Sequence, residues 1–366
     1  MLEIHCAGTP HEIGLIHGTQ AKSQIASSIR FYASLFQKTS SMSSWDAVTR
    51  EASRYVAPLE RLAPRYLAEM RGVAAGAGVS FLDILALNVR TEIAFGLFTT
   101  SPSSSSSSSG NPAPPSDGCT SLGWLAGRSS FLAQNWDWQV AQAPNLIVCR
   151  VSQPGTDLPD FAMVTEAGII GKIGFNAAGV GCCLNALRCR GVDPEKLPVH
   201  LALRRVLESA SRDAAVEAIR AAGVAASAHI LVADATGAVG LECTSAWVRE
   251  LAMDERRRVC HTNHLLQSAD DVDEPPWLDD SPVRLERVRE LTGSTAATAA
   301  GEPTLESIFV VLKDTQGYPV SINREQIEGQ STIQTLFSIV MDLTARRAQV
   351  TFGRPTEVTE KVILAF

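Results

Sequence analysis

Residues 101–116 read SPSSSSSSSGNPAPPS. Serine, proline and glycine leave nothing there to bury, so the tract reads as a solvated connector. It separates two textures. Before it, apolar residues recur at helical spacing: Ile25, Ile29, Tyr32 and Phe36, then Val48, Ala52, Val56 and Leu59, then Leu67, Met70, Val73 and Ala74. After it come strand-like runs at 121–125, 130–138, 146–152 and 161–165, and a glycine-punctuated strand pair in EAGIIGKIGFNAAGVGCCLNAL. Helical pattern returns over 198–222. Strands follow at 229–233 and 238–243, turning through Asp234 to Gly237. Ser281-Pro282 offers an N-cap and first-turn pair for a helix carrying Leu285, Val288 and Leu291. A hairpin spans about 335–352. Strand and helix do not alternate strictly, which argues against a doubly wound parallel sheet. An α+β fold of antiparallel sheets layered with helices is expected, with no internal repeat.

The 366 residues and an apolar fraction of 45% allow a large core. Length alone suggests two domains with the connector between them. A net charge of −7 leaves no basic footprint for nucleic acid. No run of 18 apolar residues marks a membrane span, and the N-terminus MLEIHCAGTPHEIG has no apolar signal region, so the cytosol is the expected compartment. The eight cysteines are scattered, several within apolar runs, which suits reduced thiols. No N-x-S/T sequon occurs.

Several familiar signatures fail on spacing. His11-Glu12 is followed by His17 rather than a histidine at position 15, so it is not a zincin helix. Gly168-Ile-Ile-Gly171-Lys172 lacks P-loop spacing, and there is no G-x-S-x-G elbow. Cys182, Cys183 and Cys189 lack zinc-ligand spacing.

Asp117-Gly118-Cys119-Thr120-Ser121 remains, directly after the connector and before the first strand-like run. Two readings are open. One is a turn followed by a core cysteine. In the other, the Cys119 thiol attacks the neighbouring glycine carbonyl, which no side chain blocks, and the shifted bond is hydrolysed. Cys119 would then be a new N-terminus whose α-amino group, titrating near pH 8, serves as the thiol's own base. The partners available are Asp137 in QNWDW, Asn263 in HTNH as an amide donor to an oxyanion, and Arg324 in SINR. The guanidinium suits either a substrate carboxylate or the orientation of Asp137.

Eight segments, in order over residues 1 to about 355, carry a resemblance: GTPHEIGLIHG, NVRTEIAFGL, DGCTS, QNWDW, TEAGIIGKIGFNAAGV, HTNHLLQ, YPVSINR and TARRAQVTFGRPT. The chain resembles the isopenicillin N acyltransferase (acyl-coenzyme A:6-aminopenicillanic acid acyltransferase) family, N-terminal-nucleophile hydrolases of the C45 peptidase type. The resemblance implies a four-layer αββα sandwich, built as a single domain over 1–366. It implies self-cleavage between Gly118 and Cys119 into chains 1–118 and 119–366 that stay together as a heterodimer, with 101–116 as the tail of the first. Cys119 would be nucleophile, Asn263 the oxyanion donor, and Asp137 and Arg324 the polar support. No metal or prosthetic group is implied; coenzyme A would enter as a thioester substrate, with a small peptide-like or β-lactam amine as acceptor. Two alternatives stand beside the transferase: an amidohydrolase using water, and an uncleaved binding homologue. The Ser/Pro insertion and the lack of an SKL-type C-terminus depart from the family pattern of the penicillin enzyme.

Overall fold

The computed structural model describes residues 1–40, 42–97, 118–267, 272–293 and 303–366. The connector 101–116 and Asp117 lie outside the described residues.

Strand β1 (Leu2–Ala7) leads into helices α1 (Pro10–Gln20), α2 (Lys22–Thr39), α3 (Trp45–Ser53), α4 (Val56–Leu62), α5 (Pro64–Ala77) and α6 (Phe81–Asn88), and then a π-helical turn, Glu92–Gly96. A capping box sets the start of α1: Thr9 accepts from the Glu12 amide while Glu12 reaches back to the Thr9 amide. Helices α1 and α5 then pack backbone to backbone along a glycine seam. A Cβ on Gly14 would fall 1.9 Å from the Glu69 carbonyl oxygen, and one on Gly72 would fall 2.1 Å from that of His11. Any side chain at these positions would drive the helices apart.

Strand β1 was not expected in a region whose stripes read as helical. Ile4 and Cys6 point inward and their neighbours outward, a period of two too short to stand out beside long helical stripes. It pairs parallel to β4 (Leu146–Ser152), with Leu2 opposite Ile147. The helical pattern over 198–222 also resolves differently, into α7 (Val199–Leu207) and α8 (Arg212–Ala222). Ser211 breaks the run because its hydroxyl accepts from the Ala214 amide and starts a new helix.

The other strands complete two sheets. The eight-stranded sheet runs β1-β4, then β5 (Phe161–Glu166), β6 (Ile173–Asn176), β7 (Gly181–Ala186), β8 (Ala228–Asp234), β9 (Gly237–Cys243) and β10 (Val248–Leu251). The six-stranded sheet has the order β11 (Arg258–His261), β2 (Thr120–Ala126), β3 (Ser129–Gln139), β12 (Ile333–Asp342), β13 (Arg347–Phe352) and β14 (Glu360–Ala365). The sheets stack through contacts of β2 and β3 with β7, β8 and β9. Helix α7 covers β6 to β8, while α9 (Asp280–Gly293) and α10 (Leu305–Leu312) cover the far face of the six-stranded sheet. The layering is αββα, as expected. One core joins Ile25, Tyr32 and Phe95 from before the connector to Cys119, Trp136 and Phe337 from after it. A second fills the space under α9 and α10, with Leu122, Phe131 and Val340 against Leu285, Val288 and Leu312. Among the described residues no helix is long and apolar enough to cross a membrane.

Candidate active site

Cys119 immediately precedes β2, at the end of the six-stranded sheet where β3 finishes and β12 begins, and is fully buried. The Asp137 backbone N–H donates to its Sγ at 3.4 Å. Its carbonyl oxygen accepts from Arg284 Nη1 at 2.8 Å and from Asn185 Nδ2 at 3.1 Å. The residue is therefore clamped by a neighbouring strand on its sulfur side and by two side-chain donors on its carbonyl side.

Gly118 packs on Arg324. A Cβ there would fall 2.0 Å from Arg324 Nε. That closeness leaves no room for a side chain at this position unless Arg324 moves.

Arg324 faces Asp137 across an ion pair of 3.4 Å (Nε to Oδ2) and donates through Nη2 to Asp280 at the start of α9. Thr335 joins the two elements that carry this pair. Its hydroxyl donates to Asp137 Oδ1 at 2.7 Å and accepts from the Arg324 amide at 3.1 Å. Asp280 Oδ2 also receives Arg284 Nε at 2.7 Å, so one carboxylate ties both guanidiniums together.

Asn263 follows β11. Arg284 Nη2 donates to its Oδ1 at 3.0 Å, which fixes the amide so that Nδ2 is the donor end; Nδ2 bonds the Ala186 carbonyl at 3.1 Å. The Asn263 amide N–H donates to Ser281 Oγ at 2.7 Å. Helix α9 begins at Asp280, two residues earlier than the Ser281-Pro282 cap pair suggested. The Ser281 hydroxyl also donates to Thr262 and thus ties β11's end to α9.

The structure thus gathers Gly118, Cys119, Asp137, Asn263 and Arg324 into one cluster. It adds Asn185, Arg284, Asp280 and Thr335, which sequence reasoning did not name. Asn185 and Arg284 lay inside motifs already read as a strand and a helix, where neither residue stands out. Asn185 is itself held from behind: its Oδ1 accepts from Ser121 Oγ at 2.6 Å and lies 3.0 Å from His229 Nδ1. His229 stacks on His261 at 3.6 Å between ring centroids, and burial drives the His229 imidazole well below its usual range, leaving it neutral.

A buried charge cluster lies near Cys119. Lys172 Nζ lies 2.6 Å from Glu166 Oε2 and 4.1 Å from the Trp136 ring centre, and Arg90 donates to the same carboxylate at 2.8 Å. Burial pulls the Lys172 ammonium down to about 8, with Arg90 adding to the fall; Glu166 and the more weakly coupled Cys119 oppose it. Burial raises Glu166 in turn, but the Arg90 and Lys172 charges prevail and hold it ionised. Gly171 lets the loop Gly168-Ile-Ile-Gly171-Lys172 reach α7, since a Cβ there would lie 2.1 Å from the His200 carbonyl oxygen. A cavity of about 340 Å³ lined by Asn263, Glu274, Trp277 and Asp279 opens beside the cluster.

The fold and the cluster are those of a helix-covered two-sheet sandwich that holds a buried cysteine among amide, guanidinium and carboxylate groups. The profile of the family described as acyl-coenzyme A:6-aminopenicillanic acid acyl-transferase matches residues 124–357, more than half of the chain. The acyl-coenzyme A:6-aminopenicillanic-acid-acyltransferase 40 kDa form of Emericella nidulans is 38% identical over 370 residues, spanning all of this chain and 96% of its own. The chain belongs to this acyltransferase family. Among solved structures, it is similar to a variant of the conjugated bile acid hydrolase of Clostridium perfringens, with a TM-score of 0.48 and 14% identity over 68% of this chain and 92% of that one. It is also similar to the Caenorhabditis elegans orthologue of N-acylethanolamine-hydrolyzing acid amidase, with a TM-score of 0.42 and 19% identity over 62% of this chain and 93% of that one.

Proposed function

We propose that the chain is an autoprocessing N-terminal-cysteine acyltransferase, built as one catalytic unit, that moves an acyl group from a coenzyme A thioester or an amide to the amine of a small peptide-like or β-lactam acceptor. The observation that carries this reading is the placement of Cys119. The thiol is buried, meets an N–H donor suited to a thiolate, and sits next to a glycine peptide whose far side is covered by the Arg324 guanidinium.

In processing, Sγ attacks the Gly118 carbonyl carbon, the Gly118–Cys119 C–N bond breaks, and the nitrogen takes the proton. The resulting thioester is hydrolysed, leaving a Gly118 carboxylate and a free Cys119 amine and thiol. The amine then accepts the thiol proton as the sulfur attacks the donor carbonyl, and the donor's leaving group takes that proton away. The oriented Asn263 amide supplies an N–H donor for the oxyanion. Asp137 and Arg324 keep the new N-terminus in place. The acceptor amine attacks the thioester and the thiol is regenerated. The chains 1–118 and 119–366 stay together because their apolar side chains share one core.

Denaturing mass analysis of the purified protein tests the processing. Two chains breaking at Gly118–Cys119 are expected, and a single chain unchanged over days at pH 7–8 contradicts it. Cys119→Ala is expected to remain whole and inactive. Trapping the acyl-enzyme and measuring its partition between water and 6-aminopenicillanic acid separates transfer from hydrolysis: transfer requires acylated amine, whereas free acid alone assigns the amidohydrolase.

A further inference from the structure

Helix α2 carries a stripe that neither its core packing nor the nucleophile cluster uses. Ser27, Arg30, Ser34 and Lys38 recur at intervals of three and four residues, so they share one face. That face forms one wall of a groove of about 620 Å³ whose other wall is Gln139 at the end of β3 and Thr332 just before β12. Among the described residues neither Arg30 nor Lys38 has an ion-pair partner, although most arginines of this acidic chain do. The walls are tied together behind the groove. Gln142, in the turn after β3, donates to Ser28 of α2 at 3.1 Å and to the buried Glu166 at 3.1 Å. The Phe31 ring also lines the groove, partly buried against the core and packed at right angles to Tyr32.

The groove lies close to the chemistry. Gln139 is two residues along β3 from Asp137, whose N–H meets the Cys119 sulfur. Two residues of extended strand span about 7 Å. A donor held in the groove reaches the buried Cys119 only through a long flexible arm.

We propose that this groove binds the phosphorylated end of the acyl donor, the adenosine 3′-phosphate 5′-diphosphate of a coenzyme A thioester. Arg30 and Lys38 take the phosphates, the Ser27 and Ser34 hydroxyls add hydrogen bonds, and Phe31 provides a face for the adenine. This assignment rests on the acyltransferase reading above and names where its donor docks. Two cations with no ion pair among the described residues, an aromatic ring and hydroxyls on the same wall fit a phosphorylated nucleotide better than a neutral acyl chain.

The test compares three donors carrying one acyl group on the processed enzyme: octanoyl-coenzyme A, octanoyl-3′-dephospho-coenzyme A and octanoyl-N-acetylcysteamine. In Arg30→Glu/Lys38→Glu, the ratio of kcat/KM for octanoyl-coenzyme A over octanoyl-N-acetylcysteamine is expected to fall about 10- to 100-fold, mainly through KM, with a smaller fall for the dephospho donor. The wild-type advantage of the full donor is expected to shrink as salt rises. An unchanged ratio in the variant overturns the groove assignment, as does inorganic phosphate competing with octanoyl-coenzyme A as well as free coenzyme A does. Failure of the wider reading looks different: no donor of the three then leaves an acyl group on Cys119.

Discussion

Gly118 and Arg324 are in contact so close that a methyl group on the glycine would overlap the guanidinium, 2.0 Å from Nε. Gly118, whose carbonyl the proposed self-cleavage would attack, is thus fitted to the guanidinium that pairs with Asp137.

Gly118→Ala is expected to displace Arg324 from Asp137 and Asp280 and to slow self-cleavage about 100-fold, the scale on which a displacement near 1 Å costs activity. The time course of chain cleavage on denaturing gels measures it. Cleavage at the wild-type rate contradicts the steric role of this contact.

Thr335 holds Asp137 Oδ1 with its hydroxyl inside a buried site. Thr335→Val keeps the shape but leaves that oxygen without this donor, at a cost of about 1–3 kcal/mol. Processing is expected to slow as well, and Thr335→Ser is expected to restore most of both. Denaturant midpoints alongside cleavage rates check this. Equal behaviour of the valine and serine variants removes the hydroxyl from the argument.

Lys172→Met removes one of two cations from a fully buried carboxylate and the cation over Trp136. A loss of about 3–5 kcal/mol is expected, because Glu166 is left undercompensated out of water. Adding Glu166→Gln is expected to recover part of it, and a double variant less stable than the single one argues against charge as the cause.

Glu92 is buried, and its desolvation raises the carboxyl to about 7 against an ordinary 4.5, only partly offset by the Val199 amide that bonds it. Between those values the folded chain keeps a proton that the unfolded chain releases. The native state's advantage is therefore full below pH 4.5 and is lost as pH rises through 7. Glu92→Gln is expected to leave stability at pH 4.5 unchanged and to raise it by up to about 3 kcal/mol at pH 8. Urea unfolding at both pH values decides it, and a gain confined to low pH has the wrong sign.

Much of this was legible in the residues. Helical and strand periods survive in any fold that buries one face, so the helices before the connector, the strands after it and the antiparallel layering could all be read. The DGCTS motif and its neighbours QNWDW, HTNH and SINR picked out Gly118, Cys119, Asp137, Asn263 and Arg324, because thiol, carboxylate, amide and guanidinium announce their chemistry by residue type. Strand β1 escaped because its six residues owe their pairing to β4, almost 150 positions away. The reason for Gly118 was only half visible: an unhindered carbonyl follows from sequence, whereas contact with Arg324 requires the loop before β12 to fold over β3. Asn185, Arg284, Asp280 and Thr335 became part of the site only in three dimensions, since the hydrogen bonds that bring them there join residues 44 to 198 positions apart and leave no periodic trace. The sequence by itself determined which atoms could react; the tertiary structure decided which of them meet, because the meeting depends on two stacked sheets bringing distant strand ends to one place.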